Sequence, residues 1–489
     1  MSINIGGVDA AIVVAYMLAV LAFGVWLGRG RQSAARYFLG DRSLPWGALL
    51  LSIVATETST VTFLSLPGLA AAAGGDLTFL QITIGYIVGR TGVIFVLLPL
   101  YFRGKPFTAY EVLEKRFGMT SRRLVSSLFL LTRNASDALR LFLTALVLQI
   151  VLGLDLSLSV VAIGVVTILY TFIGGAKSVI WNDCIQFIIY MLGAAAAAYI
   201  IVGNAPGGLE QILKFANDGD KLRVFDFDFS LTKPGMTFWA GLAGGAFLTA
   251  ATHGTDQMMV QRYLSARNQR DASLALGISG FIVLLQFAVF LLIGVGLAAL
   301  FGITDAGSAV DVKNDQLFAY FIVNYMPVGL LGITLAAVFA AAMSTLSSSL
   351  NSSAAAFVND LYLPLKGPET ADVATLRTGR IATVVFGLVQ IGIALAFGML
   401  ASSESIVANV LKISGFAAGP VLGLYFLGVF APRVQQRAAL AGFVVGVGVL
   451  SCIAYMTSLH WAWYALFGAL FTMAAGSIAH LPERDNVEK

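Results

Sequence analysis

Charged side chains are scarce in this chain of 489 residues, because Asp, Glu, Lys and Arg make up 11% whereas 58% of the residues are hydrophobic. Soluble globular domains carry about 25% charged residues, so the composition excludes an ordinary soluble domain. The net charge of +4 comes from basic residues scattered along the chain. No nucleic-acid-binding motif accompanies them, so we expect no nucleic-acid partner. The composition predicts an integral membrane protein in contact with the lipid bilayer.

Cysteine and histidine are also rare, with two and three residues. Cys184 and Cys452 both fall inside predicted membrane spans, so nothing indicates a disulfide framework. No metal-ligand spacing and no nucleophile beside a base is recognisable, which argues against an enzyme. No obligate protein partner is evident either. Because no basic leader precedes the first span, we expect no cleaved signal peptide.

Long runs without charge, such as residues 10–28, 272–304 and 438–482, reach the roughly 20 residues that a helix needs to cross a bilayer. They predict an all-α, multi-pass protein with a single transmembrane domain of about thirteen spans. The spans are expected to centre near residues 19, 58, 90, 138, 165, 191, 249, 287, 340, 390, 419, 447 and 469.

Lys and Arg concentrate in every second connection between these spans. The basic connections cover residues 29–42, 103–123, 262–270, 366–380 and 433–437, together with Lys177. Because basic loops stay on the cytoplasmic side, we expect a protein of the cell (inner) membrane with its N-terminus outside and its C-terminus in the cytoplasm. The outer loop of residues 204–233 also contains lysines and an arginine, but long loops follow this rule poorly.

Two spans carry polar residues where a membrane helix is usually apolar: residues 55–60 (ATETST) and residues 252–257 (THGTDQ). They lie five spans apart, and because five is an odd number, the two halves of the chain would be inverted in the membrane. Paired interrupted helices are typical of inverted-repeat secondary transporters, in which unwound backbone exposes carbonyl oxygens to a site at the membrane midplane.

The ninth span contains the polar run 344–353 (STLSSSLNSS), in which eight of ten side chains are hydroxyls or amides. On a helix, Ala341, Ser344, Thr345 and Ser348 share one face. Hydroxyl and carbonyl oxygens suit sodium, which is a hard cation, so the pattern favours a sodium site. The alternative is that the hydroxyls bond to carbonyls of their own helix or allow close helix packing.

Three ionisable residues inside predicted spans have two interpretations each. Asp183 either binds a cation or serves as a helix cap or ion-pair partner. Glu57 either faces a polar pocket or pairs with Arg90 or Arg140. His253 is predicted to be a hydrogen-bonded buried imidazole, with a proton relay as the alternative.

Five ordered segments make the chain resemble the sodium/solute symporters, a family that includes carriers of sugars, proline and sialic acid. The segments are residues 55–67, 108–118, 170–186, 255–264 and 336–353. The resemblance implies a leucine-transporter-like core of two inverted five-helix repeats. These map to residues 45–204 and 235–432, with one helix and a cytoplasmic loop in residues 1–44 and two helices and a tail in residues 433–489.

This resemblance implies symport of sodium with a small polar solute, such as a sugar, amino acid or carboxylate, by alternating access. One or two sodium ions would be co-transported. From the residues alone, a proton-coupled carrier that uses Glu57 or Asp183 stays an alternative, as does an ion channel. The sodium site shared by the family maps to Ala55, Thr58, Ala341, Ser344 and Thr345.

Some members, notably sialic acid carriers, have a second sodium site, which maps to Asp183, Ser347 and Ser348. The family's substrate contacts map to Glu57, Ser59, Thr62, Thr78, Phe79, Ser136, Thr252 and His253. Sialic acid carriers bind the carboxylate of the sugar acid with an arginine where this chain has Ser136, and Arg140 follows one turn later. Because Glu57 replaces an uncharged residue, a polyol or a cationic group is expected to suit the pocket better than a simple anion. The identity of the substrate stays open.

Overall fold

The computed structural model describes residues 6–484 apart from 31–32, 153–154, 305–306, 308–309, 311, 368–370 and 401–405. The outermost residues of the predicted domain ranges, 1–5 and 485–489, lie outside this part. Within it the chain is helical and contains no β-strand, only two isolated β-bridges. The predicted all-α class is therefore confirmed.

The helices follow one another with short connections. In chain order they are α1 Gly7–Leu27, α2 Ala34–Leu39, α3 Trp46–Glu57, α4 Thr60–Ala71, α5 Gln81–Gly92, α6 Leu98–Arg103, α7 Glu111–Phe117, α8 Met119–Leu152, α9 Leu156–Asn204, α10 Gly208–Asp218, α11 Gly245–Thr255, α12 Gln257–Leu264, α13 Gln269–Phe301, α14 Asn314–Tyr325, α15 Leu330–Ala356, α16 Leu363–Lys366, α17 Asp372–Leu400, α18 Ile406–Phe430, α19 Gln436–Met456 and α20 Tyr464–Arg484. Turns of 3-10 helix occur at Gly40–Arg42, Thr78–Leu80 and Trp461–Trp463, and π-helical turns at Val93–Leu97, Ala240–Gly244 and Phe357–Tyr362.

Eight helical stretches among the described residues are long and apolar enough to cross a bilayer, and the bent pair α3–α4 makes a ninth. The longest helix, α9, is interrupted at Gly175, where φ is 60° and ψ is −161°. A β-carbon there would lie 2.6 Å from the carbonyl oxygen of Tyr37, so glycine permits both the positive φ and the close approach. α9 therefore divides where the sequence predicts two spans. The total of thirteen spans stays a prediction.

Both spans with polar interruptions are broken helices. α3 ends at Glu57 and α4 begins at Thr60, and the two axes are bent by 61°. α11 ends at Thr255 and α12 begins at Gln257, because Asp256 between them has an extended backbone. The two predicted interruptions are confirmed. Each break leaves carbonyl and amide groups without helical partners, which makes them available to a ligand or a neighbouring helix.

α15, which carries the hydroxyl-rich run, lies in the centre of the protein and packs against α9, α1, α8 and α17. Every residue of α15 except Leu330 and Ile333 is buried, so the run faces protein and not lipid. Some hydroxyls bond within the helix, as Ser352 Oγ does to the Ser349 carbonyl oxygen at 3.0 Å. Hydrogen bonding within the helix, the alternative to a sodium site, thus accounts for only some of the hydroxyls in residues 344–353.

Candidate functional site

The break between α3 and α4 faces the middle of α15. Because α3 stops at Glu57, carbonyl groups of its last turn are left for other donors. Ser344 Oγ donates to the carbonyl oxygen of Ala55 at 2.9 Å, and Thr345 Oγ1 donates to that of Thr56 at 3.1 Å. Both donors and both carbonyls belong to buried residues. The sequence places these two segments almost 290 positions apart, and the fold brings them into contact.

The two hydroxyls also approach the carbonyl oxygen of Ala341, at 3.2 and 3.5 Å. Four of the five residues predicted for the first sodium site therefore meet. Thr58, the fifth, is buried at the break, but its hydroxyl lies 2.8 Å from the Val54 carbonyl oxygen and from Gln286 Oε1 of α13. The cluster consists of uncharged oxygens in a buried position, which suits an alkali cation.

Asp183 of α9 is buried beside α3, where an arginine binds it. Arg262 Nη2 lies 3.1 Å from Asp183 Oδ2 and also donates to Ser348 Oγ and Thr56 Oγ1. Ser52 Oγ donates to the same carboxylate oxygen at 2.5 Å. Asp183 and Ser348, which were assigned to the second sodium site, thus converge around a guanidinium group.

Arg262 falls in a segment predicted to be a basic cytoplasmic loop, and for this side chain the prediction is wrong. Arg262 lies in α12 and is only 3% exposed. The break before α12 lets this short helix pack against α3 and α15, where the guanidinium compensates a buried carboxylate. Charge patterning groups this arginine with Arg267 and Arg270, and the signal that separates them is that Arg262 alone belongs to the segment 255–264.

Ser347 is the third residue assigned to the second sodium site. Its hydroxyl is 3.3 Å from the Ser344 carbonyl oxygen. Asp183 Oδ1, the Gln186 amide and the Tyr16 hydroxyl are buried and make no hydrogen bond within the described residues. Asp183 Oδ1 is therefore a buried carboxylate oxygen that stays available to a further polar ligand.

A cavity of about 210 Å³ lies beside the α3–α4 break, with walls from α5, α8, α11, α12, α13 and α18. Seven of the eight predicted substrate residues line it, namely Glu57, Ser59, Thr62, Phe79, Ser136, Thr252 and His253. The exception is Thr78, which is not among the residues that line this cavity. Its hydroxyl bonds to Asp76 Oδ1 at 2.6 Å, in the turn before α5.

Glu57 lies at the cavity wall and pairs with Arg90 through a direct hydrogen bond between Oε2 and Nη2. His253 Nε2 lies 3.6 Å from the same carboxylate oxygen, and its Nδ1 lies 2.7 Å from the Tyr263 hydroxyl. Of the two arginines that the sequence offered, the structure selects Arg90. Because this buried guanidinium compensates the Glu57 charge, the basis for preferring a polyol or a cationic substrate disappears.

On another wall of the cavity, two arginines of α8 share one carboxylate. Arg133 bonds to Asp137 through both Nε and Nη2, and Arg140 Nη1 lies 2.5 Å from Asp137 Oδ1. Asp256, whose carboxylate is 3.9 Å from Arg133, caps α12 by accepting the Met258 amide at 2.8 Å. The buried Nε of Arg140 makes no hydrogen bond in the described part of the chain. Arg140 lines the cavity, so one guanidinium donor beside the cavity is left without a partner among the described residues.

Sequence reasoning missed the pairing of Arg133 with Asp137. The signal was present, because Arg133 and Asp137 are four residues apart and share a helix face.

The structure thus contains two broken helices, a buried cluster of oxygens between the first of them and α15, and an adjoining polar cavity. Together these features define a multi-pass membrane carrier of small solutes. The chain belongs to the sodium:solute symporter family, whose model matches residues 37–446. The resemblance inferred from the five segments is thereby confirmed, and with it sodium as the co-transported ion.

Relatives match over nearly the whole chain. The sodium/sialic acid symporter NanT of Aliivibrio fischeri is 31% identical over 463 residues, which cover 94% of this chain and 90% of that protein. Sodium-coupled monocarboxylate transporter 1 of Mus musculus is 30% identical over 450 residues, which cover 90% of this chain and 72% of that protein. Among solved structures, a substrate-bound, outward-open sodium-coupled sialic acid symporter matches with a TM-score of 0.88 at 28% identity, covering 97% of this chain and 98% of that one.

Proposed function

We propose that this protein imports a small solute bearing a carboxylate group together with sodium, by alternating access. Sodium-coupled symport is the activity of the family to which the chain belongs. The carboxylate is inferred from one observation, the guanidinium of Arg140 at the cavity wall, whose Nε makes no hydrogen bond within the described residues.

A guanidinium group binds a carboxylate through paired, charge-assisted hydrogen bonds. Arg140 binds Asp137 through Nη1, and its Nε is left without a partner among the described residues. The relatives named for sialic acid and for monocarboxylates carry solutes that differ in size but share a carboxylate. Arg140 would act one helical turn after Ser136, the position of the arginine in sialic acid carriers. The pairing of Glu57 with Arg90 supports the proposal, because it removes a negative charge that would repel an anion.

For the first sodium ion we propose the oxygens of Ala55, Thr58, Ala341, Ser344 and Thr345. An ion there would join α3 to α15. A ligand shifts a conformational equilibrium by its difference in affinity for the two states, so sodium would favour the outward-open state that accepts the solute. Coupling between ion and solute follows from that shift.

For a second sodium ion we propose Asp183, Ser347 and Ser348. Such an ion would compete with the Arg262 guanidinium for the Asp183 carboxylate. We therefore propose at least one sodium ion per transported solute. Binding of a second sodium ion requires Arg262 to release Asp183.

We also propose thirteen spans, because α8, the second half of α9, α11–α12 and α18 add four to the nine apolar stretches. The two inverted repeats would cover residues 45–204 and 235–432, each opening with a broken helix. The alternation of basic connections supports an outside N-terminus and a cytoplasmic C-terminus in the cell (inner) membrane.

The carboxylate proposal is tested by thermal unfolding of the purified protein with pyruvate and with N-acetylneuraminic acid, each beside its neutral methyl ester. A bound ligand raises the unfolding temperature by an amount that grows with the logarithm of its concentration relative to its dissociation constant. We expect at least one acid, and neither ester, to raise it in sodium but not in choline.

Replacing Arg140 by Gln should weaken binding of that acid by about 10- to 100-fold, the loss of one charge-assisted bond. Thr132→Ala, which alters a cavity residue whose hydroxyl bonds to its own helix, serves as the control. Equal shifts for an acid and its ester, or an unchanged affinity in Arg140→Gln, would contradict the proposal.

A further inference from the structure

The loop between α10 and α11 contains an alternating stretch, Phe225-Asp226-Phe227-Asp228-Phe229. Its phenylalanine side chains are 48%, 63% and 72% exposed, in chain order. Phe225 and Phe227 stack on each other and Phe229 contacts the ring of Trp463, whereas the two aspartates between these phenylalanines both reach Lys233. A row of exposed phenylalanine rings is costly in water, which indicates that another apolar phase covers it.

The acidic side of this stretch is held by a lysine. Lys233 Nζ lies 2.5 Å from Asp226 Oδ2 and 2.9 Å from Asp228 Oδ2. The hydrogen bond from Lys233 lowers the pKa of Asp226 below its usual value. The backbone is fixed as well, because the Asp226 amide donates to Gln81 Oε1 at 3.1 Å and its carbonyl accepts the Phe238 amide at 2.7 Å. The rings are therefore presented by a held segment.

The phenylalanine side continues directly into the start of a membrane-spanning segment. Phe225 stacks on Phe227 with ring centroids 5.5 Å apart, and Phe227 lies 5.1 Å from Phe238. Trp239, 43% exposed, donates from Nε1 to the Phe227 carbonyl oxygen at 3.2 Å. Trp239 immediately precedes the π-helical turn that leads into α11. Tryptophan at the end of a span is typical of the boundary between lipid headgroups and acyl chains.

We propose that Phe225, Phe227, Phe229 and Trp239 anchor this loop in the lipid leaflet at which α11 begins, at the boundary between headgroups and acyl chains. The aromatic rings enter the apolar layer, while the pair formed by Lys233 and its two aspartates stays in the hydrated headgroup region. This arrangement follows the pattern of interfacial segments, which have one apolar side and one charged side.

The anchor bears on transport because the same loop holds the end of a broken helix. Lys221 Nζ donates to the carbonyl oxygens of Ala70, Ala72 and Gly75, at 3.3, 2.9 and 3.2 Å. The last carbonyls of a helix carry partial negative charge, so a lysine there is favourable. A loop fixed in lipid thus restrains the far end of α4, whose near end meets the sodium site.

The test uses a nitroxide spin label on the full-length protein in liposomes, in a Cys452→Ala background. Cys184 is buried and stays in place, whereas Cys452 is exposed and would label. Phe227→Cys places the label on the proposed lipid side, and Asp228→Cys places it one residue away on the charged side. Phe225→Cys replaces Phe227→Cys if the latter does not fold.

We expect the label at residue 227 to collide more often with oxygen, which concentrates in lipid, than with a water-soluble nickel chelate. The label at residue 228 should show the opposite order. A dominance of nickel collisions at both positions would overturn the anchor, since the loop would then stand in water. Protection of residue 227 from both reagents would also overturn it, because a second protein copy would then cover the rings.

Discussion

Replacing Ser344 and Thr345 together by alanine should weaken sodium binding while leaving the protein folded. The two hydroxyls donate to the carbonyls of Ala55 and Thr56 at 2.9 and 3.1 Å. In the proposed site the same two hydroxyl oxygens also bind the sodium ion. Without them, the ion would be bound by backbone carbonyl oxygens only. The substitution therefore separates ion binding from folding.

The expected magnitudes differ for the two effects. Loss of two neutral hydrogen bonds costs roughly 1–3 kcal/mol of folding stability, at about 0.5–1.5 kcal/mol each. Interactions with a charged group are worth about 1.5–3 kcal/mol each, so loss of even one raises the sodium dissociation constant by roughly 10- to 100-fold. Sodium dependence should therefore change far more than stability does.

The assay is thermal unfolding over a sodium titration, in which stabilisation grows as the logarithm of sodium concentration relative to the dissociation constant, followed by uptake in proteoliposomes. Ser352→Ala is the matched control, because Ser352 is buried in the same helix and its hydroxyl bonds to the Ser349 carbonyl oxygen of that helix. The reasoning is refuted if the double variant folds and keeps the sodium titration of the unmodified protein, or if the control shifts it equally.

Two further predictions concern a buried charge and pH. Arg262→Gln leaves the Asp183 carboxylate buried without the arginine that compensates it, so we expect a loss of about 3–5 kcal/mol in stability. In thermal unfolding, sodium should restore part of this loss and choline should not. An equal loss in both salts would exclude ion binding at Asp183. Burial lowers the pKa of His460 at the α19–α20 turn, whereas the imidazole of the unfolded chain has a pKa of about 6.5. Unfolded chains then bind more protons, so stability should fall as pH drops through about 6.5 and below. His460→Gln should reduce this fall in unfolding temperature between about pH 7.5 and about pH 5.5, and an unchanged pH profile would contradict the assignment.

Local signals in the sequence located most of the candidate site. Polar residues inside apolar spans marked both helix breaks and the hydroxyl run, because a membrane penalises unpaired polar groups. Partner choice was harder to predict. Glu57 and Arg90 are 33 positions apart, and Asp183 and Arg262 are 79 positions apart, so no periodicity joins them.

The sequence by itself determined the helical class, the two interruptions, the oxygen-rich face of α15 and the family, because each depends on residues close together in the chain or on ordered motifs. Only the tertiary structure decided that Arg262 binds Asp183, that Arg90 compensates Glu57 and that Arg140 lines the cavity with an Nε unpaired among the described residues. The reason is electrostatic: in a buried, weakly polarisable interior the compensation of a charge depends on which side chains are within a few ångströms. That distance is a property of helix packing, which the order of residues along the chain does not state.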